Sequence, residues 1–384
     1  MRIVVDDIAA SKTGALSVLR DFYNAVAEHE RSKTGGSNKW IFVLGDKLLE
    51  ETDNIKVIVR DDVKSSRKNR LMFDLANGAG FFESLKPDVL FSMQNTLPRG
   101  YKGKQVLYVH QPLPYQSWKK FSFLKPEERE YAVYQHLIGR MIDTSVKRAD
   151  KVIVQTQWMR DAIIKKTGIA GDRIVKILPD VTMGQRDGSS VFIIPDNTEE
   201  LQASVKTEEP SPCLHNRFFY PAGEISYKNH ECILKAVGLL KERGINDFEV
   251  SFTLNKGDVP GLNKYPDHEQ VRYLGRIPRD EVFKRYSTDI LLFASYIETF
   301  GYPLAEARAV GGRIIASDCP FSHEILDGYN RAVFFNPFDP KELAEIMEQE
   351  ITGRSQFAEN NGPYEDTRNE TGSWESVIRI LETC

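Results

Sequence analysis

The sequence predicts an α/β chain of two doubly wound, Rossmann-like domains, and three observations carry that reading. Its 384 residues exceed what one compact core usually holds and suit two domains of roughly 150–200 residues each. Short β-branched and apolar runs recur between stretches of helical period, the alternation expected of parallel sheets with crossover helices. Around 183–214 the alternation lapses into a stretch rich in Ser, Thr, Glu, Asp and Pro, and then begins again. The expected boundaries are therefore 1–182 for an N-terminal domain, 183–214 for a connection and 215–384 for a C-terminal domain. The final helix packs either on its own domain or back on the first.

In the first half, strands are expected at Ile3–Val5, Trp40–Leu44, Lys56–Val59, Val89–Phe91, Val106–Val109, Val152–Val154 and Ile174–Ile177. Leu16, Leu19, Phe22, Tyr23 and Val26 recur at helical steps after Gly14, which makes the opening a strand, a glycine turn and a helix. In the second half the expected strands are Arg217–Tyr220, Glu249–Thr253, Val271–Leu274, Ile290–Phe293, Arg313–Ala316 and Ala332–Phe335. Beyond Pro340 the segments KELAEIMEQEI and SWESVIRILETC read as helices. Ligands of such sheets bind beyond the carboxyl ends of the strands, so two domains facing across a cleft would hold a site there.

Composition narrows the function classes. With 41% hydrophobic and 28% charged residues the chain can bury a core, which excludes wholesale disorder. Fifty-one basic against 55 acidic residues, a net charge of −4, exclude a protein whose main task is coating nucleic acid. The cysteines, Cys213, Cys232, Cys319 and Cys384, form no CxxC pair, so neither a disulfide framework nor a structural zinc is expected and a reducing cytosol suits the chain. The N-terminal apolar run stops at Asp6 and Asp7 and reads as a strand, not a secretory leader. The paired acids Asp6-Asp7 and Asp61-Asp62 lack the spaced pattern of a divalent-cation site between apolar strands.

One segment departs from the balance. Residues 99–151 hold eleven Lys or Arg against five Asp or Glu, a local charge of +6, interleaved with Tyr115, Trp118, Phe121 and Phe123. Basic and aromatic residues together suit an anionic lipid surface, and the competing reading has the aromatics tucked beneath their lysines. The expected location is cytoplasmic, peripheral on the inner face of the cell membrane.

The most informative segment is Asp289–Gly312, DILLFASYIETFGYPLAEARAVGG. An apolar strand ends near Ala294, a loop carries Tyr296, Glu298, Thr299, Phe300 and Gly301, and a helix begins near Pro303, whose fixed φ suits a first helical turn. The N–H groups and positive dipole end of such a helix favour a diphosphate, and glycine at 301 lets a ligand approach the backbone. Glu298 and Glu306, as ionised carboxylates, accept hydrogen bonds only, so their natural ligands are hydroxyls.

Glu298-Thr-Phe-Gly-Tyr-Pro-Leu-Ala-Glu306 resembles the E-x7-E motif of the retaining enzymes of glycosyltransferase family 4, which have the GT-B fold of two Rossmann-like domains facing across a cleft. Phe219-Tyr-Pro-Ala-Gly-Glu-Ile-Ser-Tyr-Lys-Asn-His230 is similar to the segment whose lysine contacts the donor phosphates in that family. Tyr273-Leu-Gly-Arg-Ile-Pro278 resembles the loop beside the nucleotide base, and Gly311-Gly-Arg-Ile-Ile-Ala-Ser-Asp318 the turn and strand that follow the motif. In the first half, Ser11-Lys-Thr-Gly14-Ala-Leu is similar to the glycine-containing loop after the first strand, with Gly-Ala in place of the usual Gly-Gly. Val109-His110-Gln-Pro112 ends a strand where the family often has a histidine facing the acceptor.

The resemblance implies that Glu306 binds the ribose and Glu298 the donor sugar. It puts the amides of Phe300 and Gly301, with Lys228, on the diphosphate, and His110 at the acceptor. Thr299, Arg276 and Gly14 complete the donor-binding set. An arginine usual about five residues before the lysine is absent, its place taken by Ala222, Gly223 and Glu224, so Arg276 or Arg308 is the candidate to replace it. The implied function is retaining, metal-independent transfer of a sugar from a nucleoside diphosphate donor, UDP favoured and GDP the alternative. The acceptor is a hydroxyl of a lipid-linked glycan in bacterial surface polysaccharide assembly, such as O-antigen or capsule. Two other readings stand beside it: a GT-B-fold sugar-nucleotide epimerase, and an inactive homologue that serves as a binding scaffold.

Overall fold

The computed structural model describes residues 1–10, 13–33, 37–179, 183–186, 189–192, 216–259, 261–357 and 373–384. By contacts the chain forms two units, Met1–Asp180 with Glu370–Cys384, and Val181–Asn369.

The first unit carries seven strands: β1 (Arg2–Asp7), β2 (Lys39–Leu44), β3 (Ile55–Val59), β4 (Val89–Ser92), β5 (Gln105–Tyr108), β6 (Lys151–Val154) and β7 (Ile174–Lys176). They pair in the order β3-β2-β1-β4-β5-β6-β7, all parallel, so consecutive strands run outward from β1 and the direction reverses between β1 and β4. Helices cover both faces, which is why these strands read as continuous apolar runs instead of alternating ones. On one face Ile3 and Val5 pack with Leu19, Phe22 and Val26 of helix Thr13–Ser32; on the other Val4, Ile8 and Leu90 pack with Phe73 and Phe82. Phe22 sits at the centre of an aromatic cluster with Trp40, Phe42 and Phe91, and each fully buried ring of this kind contributes roughly 1.5–3 kcal/mol.

The last helix, Trp374–Thr383, joins this first core through Val377, Ile378 and Leu381, with Trp374 against Phe22. Polar ties reinforce it: His29 meets Glu375 through Nδ1 and Glu382 through Nε2, each at 3.1 Å, and Lys33 reaches Glu382 at 2.6 Å.

Within 99–151 the four aromatics divide. Tyr115 and Phe121 are buried in the core, and Trp118 is half-buried against Trp158. Phe123 and its neighbour Leu124 stay exposed. No helix among the described residues is long and apolar enough to cross a membrane.

The second unit begins with an antiparallel pair, β8 (Met183–Arg186) and β9 (Ser189–Phe192), inside the stretch expected to be the connection between domains. Six parallel strands follow: β10 (Arg217–Tyr220), β11 (Glu249–Phe252), β12 (Val271–Tyr273), β13 (Ile290–Phe293), β14 (Ile314–Ser317) and β15 (Ala332–Phe335). Their order, β12-β11-β10-β13-β14-β15, repeats the logic of the first sheet, with the reversal now between β10 and β13. Cys232, Cys319 and Cys384 are free, and Cys213 lies outside the described residues.

Candidate functional site

At the reversal the chain leaves β10 toward one face of the sheet and β13 toward the other, which opens a crevice at their carboxyl ends. Of the residues picked from the sequence, Lys228, Glu298, Thr299, Phe300 and Gly301 lie on the loops at these strand ends. After Tyr220 an exposed loop leads into a short 3-10 turn, Ser226–Lys228, and then helix His230–Glu242. The Tyr220 hydroxyl donates to the Lys228 carbonyl at 2.6 Å and fastens the turn to the strand end. Asn229 takes a left-handed conformation, φ 65°, which asparagine tolerates better than most side chains. Its amide donates to the carbonyls of Ala294 (3.2 Å) and Pro337 (2.7 Å), binding this turn to the loops after β13 and β15.

Across the crevice, Lys228 Nζ hydrogen-bonds Glu298 Oε1, and the Ser295 hydroxyl donates to the same oxygen at 2.7 Å. Both side chains are about four-fifths buried, Lys228 at 20% and Glu298 at 16% exposure, so water screens the pair only partly. Glu298 Oε2 has no partner among the described residues.

Gly301 caps helix Tyr302–Ala309 with φ 93°, a region in which L side chains are strained. A Cβ there would also lie 3.3 Å from Leu304 Cδ1. Phe300 buries its ring against Tyr302, leaving its backbone as the part that can serve a ligand. Thr299 is half-buried between Glu298 and Phe300 in the same loop.

Glu306 is buried two-thirds of the way along that helix. Its Oε1 accepts from Arg279 at 2.7 Å and its Oε2 from the Tyr286 hydroxyl at 2.9 Å. Burial pushes its pKa up, while the Arg279 charge and the Tyr286 hydrogen bond pull it down. Sequence reasoning missed both partners, although Arg279, Phe283 and Tyr286 recur at helical spacing on one face of helix Arg279–Thr288.

The two arginine candidates part company. Arg308 is buried, and its guanidinium donates to the carbonyls of Ile325 (2.6 Å) and Asp327 (2.9 Å), where it completes the end of helix Pro320–Ile325. It is thus committed to structure and unsuited to replace the absent phosphate-site arginine. Arg276 is exposed in the loop after β12 with no partner among the described residues.

His110 lies in the first unit, just past β5. Its backbone N–H donates to Asn95 Oδ1 at 2.7 Å, and its Nε2 faces the Asn95 amide nitrogen at 3.1 Å. Since Asn95 Oδ1 is taken by that N–H, its NH₂ must be the donor and Nε2 the acceptor. Burial pushes the ring pKa down to about 4, so the neutral ring carries its proton on Nδ1, an atom without a partner among the described residues. As placed, the ring offers a hydrogen-bond donor and not a general base. Gly14 falls in the first turn of helix Thr13–Ser32, within 11–15, whose side-chain surroundings lie outside the described residues.

Asp6 and Asp7 end β1, and burial raises their pKa values to about 8 and about 7. Among the described residues the one cluster with metal-ligating reach is His29, Glu30 and Glu382, remote in sequence from the Lys228 and Glu298 loops, and its atoms are engaged by Trp40, Asn38 and Lys33. A hollow of about 460 Å³ bounded by Arg217, Phe248 and Glu249 opens at the amino edge of the second sheet, the opposite edge from Lys228 and Glu298. Its lining is polar, with Asp247, Glu269 and Arg272 among it, but none of the residues that the motifs single out belongs to it.

Residues 215–364 match the family model described as Glycosyl transferases group 1. The chain is 24% identical over 226 residues to the serotype-specific mannosyltransferase WbdA of Escherichia coli, covering 56% of this chain and 26% of WbdA. It is 26% identical over 220 residues to the O-antigen chain mannosyltransferase RfbU of Salmonella typhimurium, covering 57% of this chain and 55% of RfbU. The chain thus spans about a quarter and about half of these two curated relatives. Among solved structures, WaaG, a glycosyltransferase involved in lipopolysaccharide biosynthesis, superposes with a TM-score of 0.62 over 99% of each chain at 15% identity. That likeness and the two switch-point sheets make the fold GT-B.

Proposed function

We propose that this chain is a glycosyltransferase that moves a sugar from a nucleoside diphosphate sugar to a hydroxyl of a glycan acceptor. The observation that carries the reading is the convergence of Lys228 and Glu298 at the carboxyl edge of β10 and β13, beside the Gly301-capped helix. In the reaction an acceptor oxygen bonds to the anomeric carbon as the bond from that carbon to the phosphate oxygen breaks. The nucleoside diphosphate leaves with the electron pair, and the proton of the acceptor hydroxyl passes to the departing phosphate oxygen. Developing negative charge on that leaving group is the main electrostatic problem, and a lysine with preorganised amide donors meets it. Glu298, with Oε2 open, suits hydroxyls of the transferred sugar, and Glu306 suits those of the ribose.

The finer points are part of the same proposal. The E-x7-E resemblance supports retention at the anomeric carbon, and the lysine-and-amide phosphate site supports chemistry without a metal. UDP is the favoured donor base and GDP the alternative, the latter in keeping with mannosyl transfer by the named relatives. A lipid-linked glycan of a bacterial surface polysaccharide suits the O-antigen and lipopolysaccharide roles of RfbU and WaaG. The basic segment 99–151 with exposed Phe123 and Leu124 supports attachment to an anionic membrane surface.

Incubation with UDP-, GDP- and dTDP-sugars tests the reading. Slow release of free sugar and nucleoside diphosphate is expected of a transferase without its acceptor. Formation of a new sugar nucleotide would instead assign an epimerase, and failure to bind any of the three would leave a scaffold.

A further inference from the structure

We propose that Tyr286 and Arg279 are positioning residues for Glu306, holding its carboxylate turned so that it accepts two neighbouring hydroxyls of the donor ribose. The inference rests on the donor reading of Glu306 above. Neither residue belongs to the motif that singled out Glu306, and both come from a different helix.

The geometry separates their tasks. Tyr286 is 1% exposed, and its ring is wedged edge-on against Phe219 (6.0 Å) and Phe283 (5.5 Å), so its hydroxyl has a fixed place. It takes one direction on Glu306 Oε2 and Arg279 takes one on Oε1. Each carboxylate oxygen accepts along two directions, so one remains on each, and a vicinal diol is the group that uses both. Burial alone would favour the protonated acid, which is a poorer acceptor for such a diol. Arg279 and Tyr286 oppose that tendency.

No other charge among the described residues does the same work. On Glu306's own helix Arg308 is turned to the Ile325 and Asp327 carbonyls; on the Tyr286 helix Arg285 is held by Glu281 and Asp289. Helix Pro320–Ile325, which packs on the same helix, supplies His323, and that ring is paired with Asp318.

A purely structural role, tying two helices together, predicts altered melting and nothing more. The two roles are separated by titrating the full chain with UDP and with GDP by calorimetry between pH 5 and pH 8. Tyr286→Phe keeps the ring and removes only the hydroxyl. It is expected to weaken nucleotide binding at pH 7 by roughly ten- to hundredfold, the worth of one hydrogen bond to a charged group. Because it removes an interaction that favours the ionised form, the acid limb of the affinity profile should also move to higher pH. Arg279→Ala should move that limb further, and Arg279→Lys should restore part of the shift. Glu306→Gln should weaken binding and abolish the limb. Profiles left in place by Tyr286→Phe and Arg279→Ala, with Glu306→Gln still weakening binding, would overturn the positioning role and spare the donor reading. Undiminished binding of both nucleotides by Glu306→Gln, or no binding by the unaltered chain, would overturn both.

Discussion

Lys228 and Glu298, seventy residues apart, hydrogen-bond each other at the mouth of the second sheet. The proposed function gives them different ends of the donor, the phosphate and the sugar. Without the donor each compensates the other, so neither charge is left uncompensated in a part-buried place. On the proposed function, a diphosphate entering beside the Gly301 cap would compete with Glu298 for the lysine, and sugar hydroxyls would compete with the lysine for Glu298. The pair is therefore exchanged for the ligand, not broken in vain.

Lys228→Ala should reduce turnover by about 10²–10³-fold, the usual loss on removing one preorganised donor from developing charge. It also strands Glu298 with only Ser295, which should cost about 1–3 kcal/mol of stability. Adding Glu298→Gln to that variant should recover most of the stability and none of the activity. Donor hydrolysis and urea melts read the two effects separately. A folded Lys228→Ala protein with near-normal turnover would remove the lysine from the phosphate site.

Gly301→Ala tests the helix cap. At φ 93° an alanine is strained by about 1–2 kcal/mol, and its Cβ would press on Leu304 Cδ1. If the cap amides hold the diphosphate, nucleotide affinity should fall by more than this strain explains, because the loop shifts to relieve it. An affinity unchanged beside a lowered melting temperature would make Gly301 a turn residue only.

Most of the architecture was legible because it depends on local patterns. All thirteen strands of the two parallel sheets lie within two residues of where apolar runs and turns put them. The β8–β9 pair was not legible: MGQR and SSVF carry no apolar alternation. The last helix shows its apolar face in the sequence, but which core receives it depends on Phe22 and His29, far away in the chain. The site divides in the same way. Glu298, Gly301 and Glu306 lie in one contiguous motif and Lys228 in another, whereas the partners of Glu306 and the commitment of Arg308 to carbonyls arise from packing between helices.

His230 gives the second unit a pH dependence of known sign. It is 2% exposed and packed against Tyr220 and Phe252, with the Ala222 backbone as a polar neighbour. Burial, with Lys228 nearby, pushes its pKa down from 6.5 to about 4. The folded unit thus holds a neutral ring that the unfolded chain protonates more readily. Its contribution to stability is complete above pH 6.5 and is lost as the pH falls toward 4, by about 1.4 kcal/mol per unit at most. His230→Phe should therefore unfold at similar urea concentration to the parent at pH 7 and at higher concentration at pH 5. Parallel pH profiles would show that His230 is not the group responsible. Asp6 and Asp7, whose raised pKa values act in the opposite direction with pH, belong to the first unit, so the comparison is best read from a probe in the second.

The membrane contact proposed above would rest on a small apolar tip. Leu124 is 88% exposed, Phe123 is 43% exposed and stacks on His136, and Leu137 follows that histidine at 53% exposure. Lys120, Lys125, Arg129 and Arg140 are exposed in the same stretch. Lysine or arginine near an anionic surface contributes about 1 kcal/mol each, and an inserted leucine up to about 2 kcal/mol. Charge should thus bring the segment to the surface and the tip should hold it there. The full chain is expected to sediment with phosphatidylglycerol-containing vesicles at low salt and to be released by high salt. Leu124→Ser should lower the bound fraction by about tenfold in partition coefficient, because the other apolar tip residues remain. Replacing Lys120 and Arg140 by glutamine should weaken binding at low salt and flatten its salt dependence. Binding that is equal on neutral and anionic vesicles, or indifferent to Leu124→Ser, would return this tip to an ordinary solvated loop.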